Sequence, residues 1–130
     1  MYSILIIDDQ EIVSDVLQKI LSRFGYHAEI APGGHEGIQM FDTGLFDLVI
    51  TDIRMPVIDG HDVARHIRES HRPFTPIIGM SGTPWLLEGG EFDRVIPKPF
   101  GIETLLNAVK NVMCRAVPSQ KYSYDKPLPA

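Results

Sequence analysis

Leu48-Val49-Ile50-Thr51-Asp52-Ile53-Arg54-Met55-Pro56-Val57-Ile58-Asp59-Gly60 decides how the rest of this chain is read. Good strand formers run into a single Asp, after which Met-Pro and Asp-Gly end the run and turn the backbone. Such a strand delivers its last carboxylate to the C-terminal edge of a sheet. In an open parallel α/β sheet, loops and helix N-termini converge on that edge and ligands bind there. Asp52 alone decides little, because a lone Asp after a strand commonly just caps the following turn. The other strand ends settle the matter.

Upstream, Ser3-Ile4-Leu5-Ile6-Ile7 is a continuous apolar run of strand length, suited to burial on both faces of a parallel sheet, and Asp8-Asp9 closes it. From Gln10 the period changes. Val13, Val16, Leu17, Ile20, Leu21 and Phe24 recur at helical spacing as an expected packed face, with Gly25 as the stop. His27 to Ala31 is a second strand, and a shorter helix around Ile38 and Phe41 ends at Gly44 before the third strand, Leu48 to Thr51. Downstream, Val63, Ala64 and Ile67 mark a helix that breaks before Pro73 and Pro76. Pro76 to Met80 is a fourth strand closing on Ser81-Gly82, and Arg94-Val95-Ile96 is a fifth, ended by Pro97-Lys98-Pro99. Between Thr83 and Asp93 the periodicity is too weak for a full helix. Ile102, Leu105, Leu106, Val109, Val112 and Met113 define the last helix.

Short strands alternating with helices imply a single α/β domain: a doubly wound, five-stranded parallel sheet with helices on both faces, as right-handed crossovers require. The length of 130 residues fits one domain, and 44% hydrophobic with 22% charged residues is ordinary for a globular protein. A net charge of -5, with the 12 Lys and Arg spread along the chain, provides no basic face and argues against direct nucleic-acid binding. The single cysteine, Cys114, cannot staple the fold internally; it reads as a helix-packing residue in a reducing compartment. The apolar run Ile4 to Ile7 is too short for a signal peptide or a membrane span. A cytoplasmic protein without membrane insertion is expected. The histidines, His27, His35, His61, His66 and His71, read as solvated surface residues, and none has zinc-site spacing.

Four strand ends thus carry polar residues to one edge: Asp8-Asp9, Asp52, Ser81 and Lys98. Carboxylates gathered there repel one another by roughly 4 kcal/mol per pair at about 4 Å and an effective dielectric constant near 20. A cation is required. An all-oxygen donor set favours a hard ion, and Mg²⁺ fits one to three carboxylates with waters completing its shell. Lys98 adds a point charge, Ser81 a hydroxyl, and Gly82 lets the backbone N–H come close, a set suited to phosphoryl oxygens. An Asp carboxylate can attack phosphorus, so Asp52 can accept a phosphoryl group covalently.

Asp8-Asp9, Asp52, Met55-Pro56-Val57-Ile58-Asp59-Gly60, Ser81-Gly82 and Lys98-Pro99-Phe100, in this order, resemble the response regulator receiver domain of two-component signalling over about residues 3–114. The resemblance implies a flavodoxin-like fold and a phospho-accepting Asp52. Mg²⁺ would be bound by Asp8 or Asp9, Asp52 and the backbone carbonyl of Arg54. Ser81 would contact a phosphoryl oxygen, Lys98 would pair with the phosphate, and Lys98-Pro99 would be cis. The implied donor is a sensor histidine kinase or phosphotransfer protein. The output is an unidentified downstream protein, and the only catalysis is the domain's own phosphorylation and dephosphorylation.

Two departures from the family pattern concern the output surface. Val95 stands where an aromatic is usual, and the Ser81–Lys98 segment is shorter by roughly one turn of about 3.6 residues, so the helix after the fourth strand is expected to be shortened or missing. Two readings stand for Trp85 and Phe92: one of them takes over part of the readout from the absent aromatic, or both simply pack over the shortened loop. A pseudo-receiver, keeping the fold without being switched by phosphate, is the main alternative; the complete set of site residues speaks against it. An aspartate-nucleophile phosphohydrolase would need a second carboxylate where Arg54 stands. A dinucleotide or P-loop site would need a Gly-rich turn where Asp8-Asp9 stands. Residues 1–116 are expected to form the domain and 117–130, without periodicity, a tail or the start of a linker.

Overall fold

A computed structural model describes residues 1–83 and 90–115. The elements in chain order are β1 (Ser3–Ile7), α1 (Glu11–Arg23), β2 (His27–Ala31), α2 (Gly34–Thr43), β3 (Leu48–Asp52), α3 (Gly60–Arg68), β4 (Ile77–Ser81), β5 (Arg94–Pro97) and α4 (Ile102–Arg115). All strand pairs are parallel, in the order β2-β1-β3-β4-β5. This is the expected doubly wound sheet. Its strand order reverses between β1 and β3, the place where an open α/β sheet leaves a crevice at its C-terminal edge. The helix expected to be shortened or missing after β4, with Trp85 in it, falls on residues 84–89, which lie outside the described residues.

Alternation along the strands divides the core between the two faces. On one face Ile4, Ile6, Leu48, Ile50, Ile78, Met80 and Ile96 meet Leu17 and Leu21 of α1 and Leu105, Ala108, Val109 and Val112 of α4. On the other, Leu5, Ile7, Val49 and Ile77 meet Phe41 of α2 and Val63, Ala64 and Ile67 of α3. Each fully buried Ile, Leu or Val is worth roughly 1.5–3 kcal/mol. Four such residues in β1 alone hold its C-terminal end in place even though a carboxylate must follow it into the interior.

Two helices differ from their sequence pattern. In α1 the line facing the sheet is Ser14, Leu17 and Leu21, whereas Val16 and Phe24, expected on the packed face, are exposed. Ser14 is tolerated beneath the helix because its hydroxyl donates to the Glu11 carbonyl at 3.1 Å. Cys114 is exposed on α4 rather than packed, since the buried stripe runs through Leu105, Val109 and Val112 and leaves position 114 off that face. Near β4, a methyl group on Gly79 would lie 3.0 Å from the Phe92 ring, so Phe92 covers this stretch of sheet directly. No described helix is long and apolar enough to cross a membrane.

Candidate functional site

Register brings the predicted residues together. Ile7 pairs with Thr51, Asp52 with Met80, and Ser81 with Pro97, so the residues that follow or end these strands share one level of the C-terminal edge. Backbone bonds carry the alignment one step further. Asp8 N–H donates to Ala31 O at 3.2 Å, Ile53 N–H to Met80 O at 3.0 Å, and Lys98 N–H to Ser81 O at 2.8 Å. Lys98-Pro99 is cis, as the resemblance implied.

Asp8, Asp9 and Asp52 each place a carboxylate oxygen within 4.8 Å of the others. Asp8 and Asp52 are buried and Asp9 is exposed, a division that the Asp-Asp pair in the sequence left open. Lys98 Nζ lies 3.4 Å from Asp8 Oδ2 and 3.4 Å from Asp52 Oδ2. Burial first, and then the neighbouring Asp8 charge, raise the Asp52 pKa above the ordinary carboxylate value, while Lys98 pulls it down. One ammonium is thus set against three carboxylates. The excess negative charge and the all-oxygen donors fit a hard divalent cation, and no thiolate or imidazole competes among them.

Ser81 is buried at the end of β4, but its hydroxyl is turned to Thr83: it accepts Thr83 N–H at 2.9 Å. Arg54 lies exposed in the β3–α3 loop, beside a cavity of about 570 Å³ lined by Ile53, Arg54, Met55, Pro56, Asp59 and His61. This loop is held tightly at both ends. Thr51 Oγ1 donates to Asp52 O at 2.9 Å. Asp59 and Asp62 form a reciprocal capping box that starts α3. Gly60, read from sequence as a turn residue, is instead a close-approach glycine: a methyl there would lie 2.6 Å from Asp52 O. Between these anchors Val57 takes a φ of 69°, and Ile58 N–H donates to Pro56 O at 2.8 Å across it. A β-branched residue in this conformation is strained.

Sequence reasoning missed Gln10, whose Oε1 accepts from Lys98 Nζ at 2.8 Å, shorter than either Lys98 carboxylate contact. Gln is not a favoured N-cap residue, and Gln10 makes no side-chain cap bond at the start of α1; that mismatch was the available signal. The histidines are less uniformly solvated than expected. His66 is half-buried and bonds Asp42 at 2.8 Å. His61 is half-buried with its ring edge-on to Phe92 at 5.2 Å, beside the same loop.

The sequence profile of the response regulator receiver domain matches residues 4–110. The chain belongs to the response regulator receiver domain family. Among relatives, the transcriptional regulatory protein YrkP of Bacillus subtilis is 38% identical over 111 residues, covering 80% of this chain and 46% of YrkP. The autoinducer 1 sensor kinase/phosphatase LuxN of Vibrio campbellii is 30% identical over 111 residues, covering 85% of this chain and 13% of LuxN. This receiver domain therefore spans about half or less of the length of these relatives. Among solved structures, the response regulator TrrA of Thermotoga maritima, in complex with Mg(2+)-BeF, superposes with a TM-score of 0.76 at 31% identity, covering 86% of this chain and 99% of TrrA.

Proposed function

We propose that this receiver domain accepts a phosphoryl group on Asp52 from a phosphohistidine of a sensor histidine kinase or phosphotransfer protein, and that the change in charge switches a surface read by a downstream protein. The observation that carries the proposal is the gathering of Asp8, Asp9 and Asp52 around one point with Lys98 facing two of them. TrrA, held with magnesium and a beryllofluoride group, supports this assignment. LuxN, a sensor kinase/phosphatase, and YrkP, a transcriptional regulatory protein, support a kinase on the input side and a larger regulatory context.

Asp52 supplies the nucleophile: a carboxylate oxygen bonds to phosphorus as the phosphorus–nitrogen bond of the donor breaks, and that electron pair leaves with the imidazole. Lys98 faces the equatorial oxygens and offsets their charge as they separate from the donor. Ser81, turned away from Thr83, donates its hydroxyl to one of them. Asp8, Asp9 and Asp52, with the carbonyl of Arg54, would hold Mg²⁺, which when bound neutralises the carboxylates and the incoming oxygens. Water attack on the same phosphorus returns the carboxylate, so the domain acts only on its own phosphoryl group. The phosphorylated form carries about two negative charges at this edge, enough to bias a loop between two arrangements. Residues 1–116 would form the switching unit; residues 117–130, expected from sequence to be a tail or the start of a linker, lie outside the described residues.

The test is intact-mass measurement after incubation with acetyl phosphate, with and without Mg²⁺, on the wild type and on Asp52→Ala. A Mg²⁺-dependent phosphoryl adduct that disappears in the variant supports the proposal. An adduct that persists in Asp52→Ala, or none on the wild type, refutes it.

A further inference from the structure

The residue following the paired acids holds two members of the site at once. Gln10 N–H donates to Asp8 Oδ1 at 2.9 Å, and Gln10 Oε1 accepts from Lys98 Nζ at 2.8 Å. Lys98 closes the ring through Asp8 Oδ2 at 3.4 Å. An ammonium has three N–H donors. Here Asp8, Gln10 and Asp52 surround it, and the neutral carboxamide, not either carboxylate, makes the short contact. Charge-assisted N–H···O bonds normally close to about 2.7–2.9 Å. Lys98 is therefore held back from Asp52, although the opposite charge there should draw it in.

We infer that Gln10 is a positioning residue which holds Lys98 in a withdrawn place and so sets how readily the ammonium moves onto a phosphoryl group arriving at Asp52. The inference rests on the reading of Asp52 as the acceptor. The hold acts before transfer and is released during it, because Nζ must leave Gln10 Oε1 to approach the phosphoryl oxygens. Only a contact that differs between the starting state and the transition state alters the rate, and this one is stronger at the start. Removing it speeds transfer. The α1 cap position is consistent with this role, since a side chain there that bonded its own helix, as Ser or Asp would, could not reach Lys98.

Initial rates of adduct formation with acetyl phosphate at saturating Mg²⁺, followed by intact mass, test this. Gln10→Met keeps the shape and removes the acceptor; the rate should rise about three- to tenfold, the worth of one exposed hydrogen bond to a charged group. Gln10→Glu grips the ammonium with a full charge and repels the phosphoryl group, so the rate should fall by a similar factor. In a Lys98→Met background, Gln10→Met should have no effect on the remaining rate. Rates that move the same way in the Met and Glu variants, or a Gln10→Met effect that survives the loss of Lys98, overturn the inference while leaving the acceptor role of Asp52 standing. Absence of any adduct on the wild type removes both.

Discussion

Replacing Asp52 by Asn should stabilise the metal-free protein at pH 7. The side chain is 8% exposed, with charges on either side. At an effective dielectric constant of about 20, Asp8 at up to 4.8 Å repels it by about 3.5 kcal/mol, and Lys98 at 3.4 Å attracts it by about 5 kcal/mol. Asp9 adds a weaker repulsion from its exposed position, so the Coulomb contributions nearly cancel. What remains is the loss of hydration, several kcal/mol for a buried ion before relaxation and water access reduce it. A net gain of about 1–2 kcal/mol is expected for the neutral amide, and Lys98 keeps Asp8 and Gln10 as partners.

The pH dependence follows from the raised pKa of Asp52. Between the ordinary value of 3.8 and the raised one, the folded protein holds a proton that the unfolded chain has released. Stability therefore declines as pH rises through that window, and the Asn variant lacks this decline. The advantage of Asp52→Asn is full above the raised pKa and vanishes below about pH 3.8. Mg²⁺ should reverse the order, because a ligand of the folded state adds about 2.7 kcal/mol at a hundredfold excess over its Kd and the variant binds it less well. Urea unfolding followed by circular dichroism, at pH 7 and at pH 4, in EDTA and in Mg²⁺, measures every part of this. A variant less stable than the wild type at pH 7 in EDTA, or a difference that does not shrink at pH 4, would show that burial of the Asp52 charge is not what strains the site.

Gly60→Ala should cost about 1–3 kcal/mol and slow adduct formation, because the new methyl meets only backbone, Asp52 O and Ile53 Cα at 2.6 and 2.7 Å; wild-type stability in this variant would mean that the loop yields freely. Val57→Gly should raise stability by about 1 kcal/mol, since Val57 is exposed and pays for a left-handed backbone that glycine adopts without strain; a lower denaturation midpoint would contradict this. Arg68→Ala should cost about 2–3 kcal/mol, well above an ordinary surface pair. Arg68 donates to the carbonyls of Pro73, Thr75 and Glu91 and to Asp93 Oδ2, which also receives Ile77 N–H at the start of β4. A cost under about 0.5 kcal/mol would show the network to be solvated.

Which parts were legible in the sequence follows from the range of the forces involved. Strand and helix placement rests on local periodicity and on Pro and Gly breaks, and β1 to β5 came out within a residue or so of their expected bounds. The ends of β3 and β4 differ in one instructive way. Asp52 and Ser81 are the last strand residues rather than the first turn residues, because pairing with β4 and β5 carries the ladder through them. The helix faces were less legible. Val16 and Phe24 fit a helical stripe but are exposed, and Ser14 lies beneath the helix, because the side presented to the sheet depends on how α1 docks. Cys114 on α4 is the same case.

By itself, the order of apolar runs and polar endings determined a doubly wound parallel sheet and named the acids, hydroxyl and ammonium at its edge, since which polar residue follows each apolar run is a local property of the chain. Only the tertiary structure decided that Asp8 rather than Asp9 goes inside, that Ser81 faces Thr83, that Phe92 covers Gly79, and that Gln10 reaches Lys98 across 88 positions of chain. Apart from the local Ser81–Thr83 turn, these features depend on residues distant in sequence. They are set by packing distances of a few ångströms, which no repeat or spacing along a single strand or helix encodes.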